Sequence, residues 1–273
     1  VYRISCFADE IAGDFKTQLG VMRECGIRYL ELRSAWDTGV LSLSAAQVRE
    51  IKTMLAGEGA AVSCIGSAVG KVSIDGPFEE TEESLKIAID VAHTMGTGYV
   101  RTFSFFSEGK DFDIYKDRIV DRLARMARIA EDQTVVLLNE NEKDVFTDTS
   151  PRCLAAVRAV NSKSFRCAFD MSNFRSAGER PFDQSLKRLF PYVEYAHVKD
   201  SKNSDGAKVP AGEGDAQVRE VLGALKGKEG VFLSLEPHLV TAGQFRGFSG
   251  PEQFKIAHKA LTGILEQLQI DYC

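Results

Sequence analysis

Eight times along this chain a short apolar run gives way to a stretch with helical periodicity, and no unit is missing. The apolar runs begin at Tyr2 (YRISCFA), Tyr29 (YLELR), Ala60 (AAVSCIGS), Tyr99 (YVRTFSF), Thr134 (TVVLLNE), Phe165 (FRCAFD), Val193 (VEYAHVK) and Val231 (VFLSLE). Helices are expected up to about residue 25, then over about 44–56, 79–95 and 114–130, from near 150, and over about 181–190, 215–225 and 251–268. Ser150 followed by Pro151 reads as an N-cap with proline at the first helical position. Gly26, Gly57, Gly96 and Gly227 fall after helix ends, where a left-handed residue is wanted. Eight strands alternating with eight helices predict an α/β fold, a single (β/α)8 TIM barrel forming one domain over residues 1–273. The length agrees with the ~250 residues such a barrel needs. The rival, a doubly wound open sheet, would have fewer units and a glycine-rich phosphate loop after its first strand; FADEIAG is not such a loop.

With 44% hydrophobic and 27% charged residues, the chain can bury a substantial core. Its net charge of -5 argues against general attraction to nucleic acid or anionic membranes. The six cysteines form no CxxC pair and read as free thiols of a reducing compartment. No secretion signal and no apolar run of transmembrane length is present, so a cytoplasmic location is expected.

In a barrel of this kind chemistry gathers at the C-terminal ends of the strands. Strand five ends at Glu140, strand six at Asp170 and strand eight at Glu236, and strand seven carries His197. Their separations of 30, 27 and 39 residues are each close to one strand–helix unit, so four consecutive strands deliver one polar group each to one rim. The alternative, that these acids are solvated loop residues, needs the same accident in four units running. Three carboxylates and one imidazole suit a single hard or borderline divalent ion. Mn2+ is the first choice, with Mg2+, Co2+ or Zn2+ as alternatives.

The segments LNENE (with Glu140), FDMSN (Asp170), HVKD (His197), GEGD (Gly212 to Asp215) and LEPH (Glu236) resemble the xylose isomerase-like TIM-barrel superfamily, in its sugar phosphate isomerase/epimerase branch. The resemblance spans essentially the whole chain. It implies that Glu140, Asp170, His197 and Glu236 hold one metal and that Glu140 and Glu236 also move protons on opposite faces of a sugar. One departure stands out. The epimerases often carry a substrate-binding histidine three residues after the aspartate, and here that position is Asn173, which can bond a hydroxyl but cannot shuttle a proton.

Alternation on strand two points Glu31 and Arg33 into the barrel, with Glu31 expected to neutralise an arginine. Arg33, Lys71 and Arg101 are candidates to bind an anionic or polyhydroxylated substrate. Lys199 shares the face of His197 and can stabilise an oxyanion. Asn173, Glu142, Glu213 and His238 complete the substrate-binding candidates, with GEGD read as a loop closing over the site. The segment Gly243 to Gly250 is a further candidate to cap the pocket or to form a subunit contact. His93 and His258 lie within helices, where packing or surface roles are expected.

The function expected is that of a divalent-metal-dependent isomerase or epimerase of a keto-sugar or polyol-derived substrate, working by proton transfer through a metal-stabilised ene-diolate. A lyase or dehydratase of the inosose dehydratase kind begins with the same proton removal. A DNA-repair endonuclease of the endonuclease IV kind would need a multi-zinc, histidine-rich site in a less acidic chain. A metal-binding or regulatory protein without turnover is disfavoured by the intact ligand set, with Asn173 as the feature on its side. The partner expected is a small-molecule carbohydrate, not nucleic acid or a membrane; a homo-oligomer is compatible with the sequence.

Overall fold

A computed structural model describes residues 1–109, 111–239 and 248–273. Eight parallel strands close into a barrel: β1 (Arg3–Cys6), β2 (Tyr29–Leu32), β3 (Ala61–Val69), β4 (Tyr99–Thr102), β5 (Val136–Glu140), β6 (Phe165–Asp170), β7 (Val193–Val198) and β8 (Phe232–Leu235). Each pairs with its sequence neighbours, and β8 returns to β1 with Arg3 opposite Phe232 and Cys6 opposite Leu235. The expected (β/α)8 barrel is therefore the fold.

The strands are wrapped by α1 (Phe15–Glu24), α2 (Ala45–Gly57), α3 (Phe78–Met95), α4 (Phe112–Asp132), α5 (Ser150–Val160), α6 (Met171–Ser176), α7 (Val218–Leu225) and α8 (Gly250–Gln267). Short polar residues start several of them. Asp14 accepts from the Thr17 N–H, Ser44 and Gln47 form a reciprocal capping box, and Asp111 accepts from the Asp113 N–H.

Three local readings change. Ser150 is the first residue of α5 and not its cap; its N–H is taken by the Glu179 carboxylate, 3.1 Å away. After β6 the chain enters α6 at once, because Asp170 itself caps it, a short helix the sequence pattern did not announce; the expected 181–190 helix follows it, wound as wide turns over Pro181–Leu186 that run into an α-helical turn over Lys187–Leu189. Gly26 and Gly96 are left-handed as expected, but Gly57 lies in the last turn of α2 and the left-handed positions nearby are Gly59 and, near Gly227, Gly230.

Inside the barrel, side chains two residues apart on a strand stack in layers. The lower layers hold Tyr29, Cys64, Tyr99, Leu138, Ala168, Tyr195 and Phe232. Tyr195 meets Phe232 at 5.6 Å and Tyr99 at 6.3 Å between ring centroids. Burying such a ring contributes roughly 1.5–3 kcal/mol. Two residues above Tyr29, Tyr99, Leu138, Ala168 and Tyr195 come Glu31, Arg101, Glu140, Asp170 and His197. The site thus rests on a largely apolar floor that includes four aromatic rings.

Candidate metal centre

Ligand atoms of Glu140, Asp170, His197 and Glu236 all lie within 4.8 Å of one another, and all four residues are buried. That span is close to twice the ~2.1 Å at which a carboxylate oxygen or imidazole nitrogen binds a small divalent ion.

Each side chain is held from behind. His197 Nδ1 is 3.0 Å from Glu140 Oε1 and its Nε2 is 3.2 Å from Glu31 Oε2. Glu31 therefore serves the histidine directly, whereas an arginine was the partner expected; inward alternation was right, but the neighbour across the barrel is His197. Asn141 clamps the Asp170 backbone, accepting from its N–H at 2.8 Å and donating to its carbonyl at 3.0 Å. The Asn173 N–H donates to Asp170 Oδ1 at 2.7 Å, which leaves Oδ2 facing the site. Lys199 Nζ lies 3.0 Å from that Oδ2 and 2.9 Å from Glu236 Oε2. The contact with Asp170 is an ion pair without hydrogen-bond alignment, so among the described residues Asp170 Oδ2 is a buried acceptor with no aligned donor.

Two arginines brace the glutamates. Arg101 donates to Glu140 Oε2 at 3.0 Å, and Arg33 donates to Glu236 Oε1 at 2.7 Å. Arg33 also holds Asp9 at 2.7 Å and Glu10 at 3.3 Å. Both guanidinium groups lie over the Phe7 ring, 4.5 and 5.0 Å from its centroid.

Burial works against every charge here, and the partners decide the outcome. Desolvation raises the Glu140 pKa, but His197 and Arg101 outweigh it and bring it down to about 2. Glu236 is likewise held well below the usual range by Lys199, His238 and Arg33 against desolvation. Asp170 goes the other way: burial, with Glu140 and Glu236 nearby, pushes it up to about 6 in spite of Lys199. His197 resists desolvation because Glu140 and Glu31 hold its pKa well above the ordinary value. A buried, carboxylate-rich set that includes, among the described residues, an acceptor lacking an aligned donor has the donor chemistry that a divalent cation satisfies, and His197 joins it once Nδ1, the nitrogen on the Glu140 side, gives up its proton.

The set opens into a cavity of about 1070 Å³ lined among others by Arg33, Lys71, Arg101, Phe103, Glu140, Glu142, Asn173, Lys199, Glu236, His238 and Phe248. Arg101, Asn173, Lys199, Glu142 and His238 are therefore where substrate-binding residues would be. Glu142 is paired with Lys71 at 2.9 Å. Burial pushes His238 down to about 4, so its imidazole is neutral near pH 7. Glu213 does not line the cavity. The GEGD turn is fastened by buried Asp200, which accepts from the N–H groups of Gly212, Gly214 and Ala216, and Glu213 is left exposed. A Cβ on Gly214 would lie 2.3 Å from Asp200 Oδ1, which explains that glycine. Of the candidate cap Gly243 to Gly250, residues 243–247 lie outside the described residues. Phe248 lines the cavity 4.7 Å from the His238 ring, and Ser249 Oγ donates to Glu10 at 2.7 Å. His93 and His258 lie on α3 and α8, away from the cavity lining.

Asp9, Glu10, Asn141 and Asp200 carry much of this arrangement and were not singled out from sequence. Asn141 and Asp200 sit inside the LNENE and HVKD segments, so their place at strand ends was the available signal.

The profile of the xylose isomerase-like TIM barrel family matches residues 19–261. The chain belongs to that family. No curated protein matches it. Among solved structures, this family member is similar to the probable 3-DHS dehydratase AsbF involved in petrobactin synthesis from Bacillus anthracis, at 20% identity, with 96% of this chain and 99% of that chain covered and a TM-score of 0.75. It is similar to the IOLI protein with a bound zinc atom at 18% identity, 97% and 99% coverage and a TM-score of 0.77. It is similar to L-ribulose 3-epimerase at 16% identity, 98% and 96% coverage and a TM-score of 0.74. At these identities what is shared is the barrel. All six cysteines are free thiols, and no helix among the described residues is long and apolar enough to cross a membrane.

Proposed function

We propose that this protein is a divalent-metal-dependent isomerase or epimerase of a keto-sugar or polyol-derived substrate. The observation that carries the reading is the pair Glu140 and Glu236. They lie on or beside strands three steps apart, belong to one four-residue ligand set, and border one cavity. Glu140, Asp170, His197 and Glu236 would hold the ion, and the carboxylate-rich set favours Mn2+. A divalent ion bound there supplies Lewis acidity, which polarises a carbonyl and acidifies the neighbouring C–H.

The chain's own groups do the rest. One glutamate carboxylate removes the carbon-bound proton and the other returns one from a different side. Arg101 and Arg33 hold the two carboxylates in place. The glutamate that acts as base starts ionised, and the one that returns a proton first takes it up from solvent. The Lys199 ammonium faces the same space and offsets negative charge developing on a substrate oxygen. Asn173, Glu142 and neutral His238 offer hydrogen bonds to hydroxyl groups.

The test is incubation of the Mn2+-loaded protein with a panel of keto-sugars in D2O. Deuterium incorporation with an intact carbon skeleton supports an isomerase or epimerase. An unsaturated product supports a lyase on the same site, and no metal-dependent exchange with any sugar contradicts both.

A further inference from the structure

Five lysine and arginine side chains line the cavity: Arg33, Lys71, Arg101, Lys199 and Lys208. Four are matched by carboxylates: Arg33 by Asp9, Glu10 and Glu236, Lys71 by Glu142, Arg101 by Glu140, and Lys199 by Asp170 and Glu236. Lys208 differs. Among the described residues its Nζ donates to a hydroxyl, Ser172 Oγ at 2.8 Å, and no carboxylate pairs with it. Ser172 Oγ in turn shares a 2.6 Å hydrogen bond with Ser201 Oγ, and both serines are buried.

The lysine sits in a short strand. It stands opposite Ser201 in the short hairpin Asp200–Ser201 with Lys208–Val209 directly after β7. Asp200, at the base of that hairpin, is the residue that gathers the Gly212, Gly214 and Ala216 N–H groups. Lys208 is half-buried, and desolvation, then Lys199, then Arg175 disfavour its charge, with Asp170 and Glu236 acting the other way. A half-buried ammonium facing a cavity, with a hydroxyl as its partner, is short of one negative charge that a ligand can supply.

We propose that Lys208, positioned by Ser172, is an oxyanion subsite, so that the substrate is a carbohydrate bearing a carboxylate or a phosphate monoester. This rests on the carbohydrate reading of the neighbouring metal centre. The cavity, at the top of the ~300–1,000 Å³ usual for small-molecule sites, has room for a sugar with a charged end directed to the β6–β7 side while its reacting end meets Glu140 and Glu236.

The experiment is calorimetric titration, at constant ionic strength, of the Mn2+-loaded protein with D-glucitol, D-gluconate and D-glucitol 6-phosphate. It is run on the wild type, Lys208→Met, Lys208→Arg and Ser172→Ala. The wild type should bind one of the two anions at least about tenfold more tightly than D-glucitol, as a charge-assisted bond provides. Lys208→Met should lose that advantage, Lys208→Arg should keep most of it, and Ser172→Ala should fall between. Which anion is preferred tells carboxylate from phosphate. No preference in the wild type, or a preference that survives in Lys208→Met, overturns the subsite. If no polyol binds, the carbohydrate reading falls by itself, and inorganic phosphate alone decides the subsite on metal-free protein. A raised unfolding midpoint in the wild type and not in Lys208→Met keeps the subsite, and no shift in either removes it.

Discussion

The two glutamates at the barrel mouth look equivalent, each with its own arginine and both arginines against Phe7, but their surroundings differ. Arg101 spends its remaining donors on the backbone carbonyls of Ser67 and Gly66, so Glu140 is its carboxylate partner. Arg33 spends its donors on Asp9 and Glu10 as well as Glu236. Glu140 draws its second cation from His197 and Glu236 draws its own from Lys199. The Glu140 side is thus built for one carboxylate. On the Glu236 side the same guanidinium also keeps two further acids buried at the end of β1. One arginine belongs mainly to the site, and the other holds site and fold together.

The largest effect should fall on stability and separate the two sides. Arg33→Met leaves Asp9, Glu10 and Glu236 short of a counter-charge and should cost about 3–5 kcal/mol in urea unfolding. Arg101→Met strands one carboxylate that still has His197 and should cost about half as much. Equal losses would erase the distinction. Next come the glutamates themselves. Glu140→Gln and Glu236→Gln should each slow substrate proton exchange by at least about a hundredfold with metal occupancy checked alongside. Wild-type exchange in both, with metal retained, would make them ligands only.

A smaller effect should follow from Glu31→Gln, which removes the charge behind His197 Nε2. Metal affinity should drop about 10–100-fold with little change in fold, read by titration and circular dichroism. Unchanged affinity would show that Glu31 has no part in orienting the histidine. Least of all, Lys71→Met breaks the half-exposed pair with Glu142 and should change stability by less than about 1 kcal/mol.

Much of this was legible before any coordinates. Strand periodicity and the one-per-unit spacing of Glu140, Asp170, His197 and Glu236 depend on local pattern and on a barrel's fixed geometry, so both carried through. What failed to show depends on which strands face each other across the barrel and on how loops fold. Glu31 pairing with His197 joins β2 to β7, and Arg33 reaching Glu236 joins β2 to β8. No sequence spacing encodes such pairings. Glu213 lies away from the cavity lining for a related reason: GEGD reads as a loop closing over the site until Asp200 is seen to bind its N–H groups, which fastens the turn and leaves the glutamate exposed. Likewise FDMSN contains a helix start because Asp170 is ligand candidate and helix cap at once.

The central claim is that Glu140, Asp170, His197 and Glu236 form one metal centre, and Asp170 tests it most directly because, of these four residues, it is the one whose side chain has a buried oxygen without an aligned donor among the described residues. Calorimetric titration with Mn2+ should show one ion per wild-type chain, and an affinity lower by at least about a hundredfold in Asp170→Ala and in Asp170→Asn, with both variants folded by circular dichroism. Equal affinity in the wild type and both variants would contradict the account.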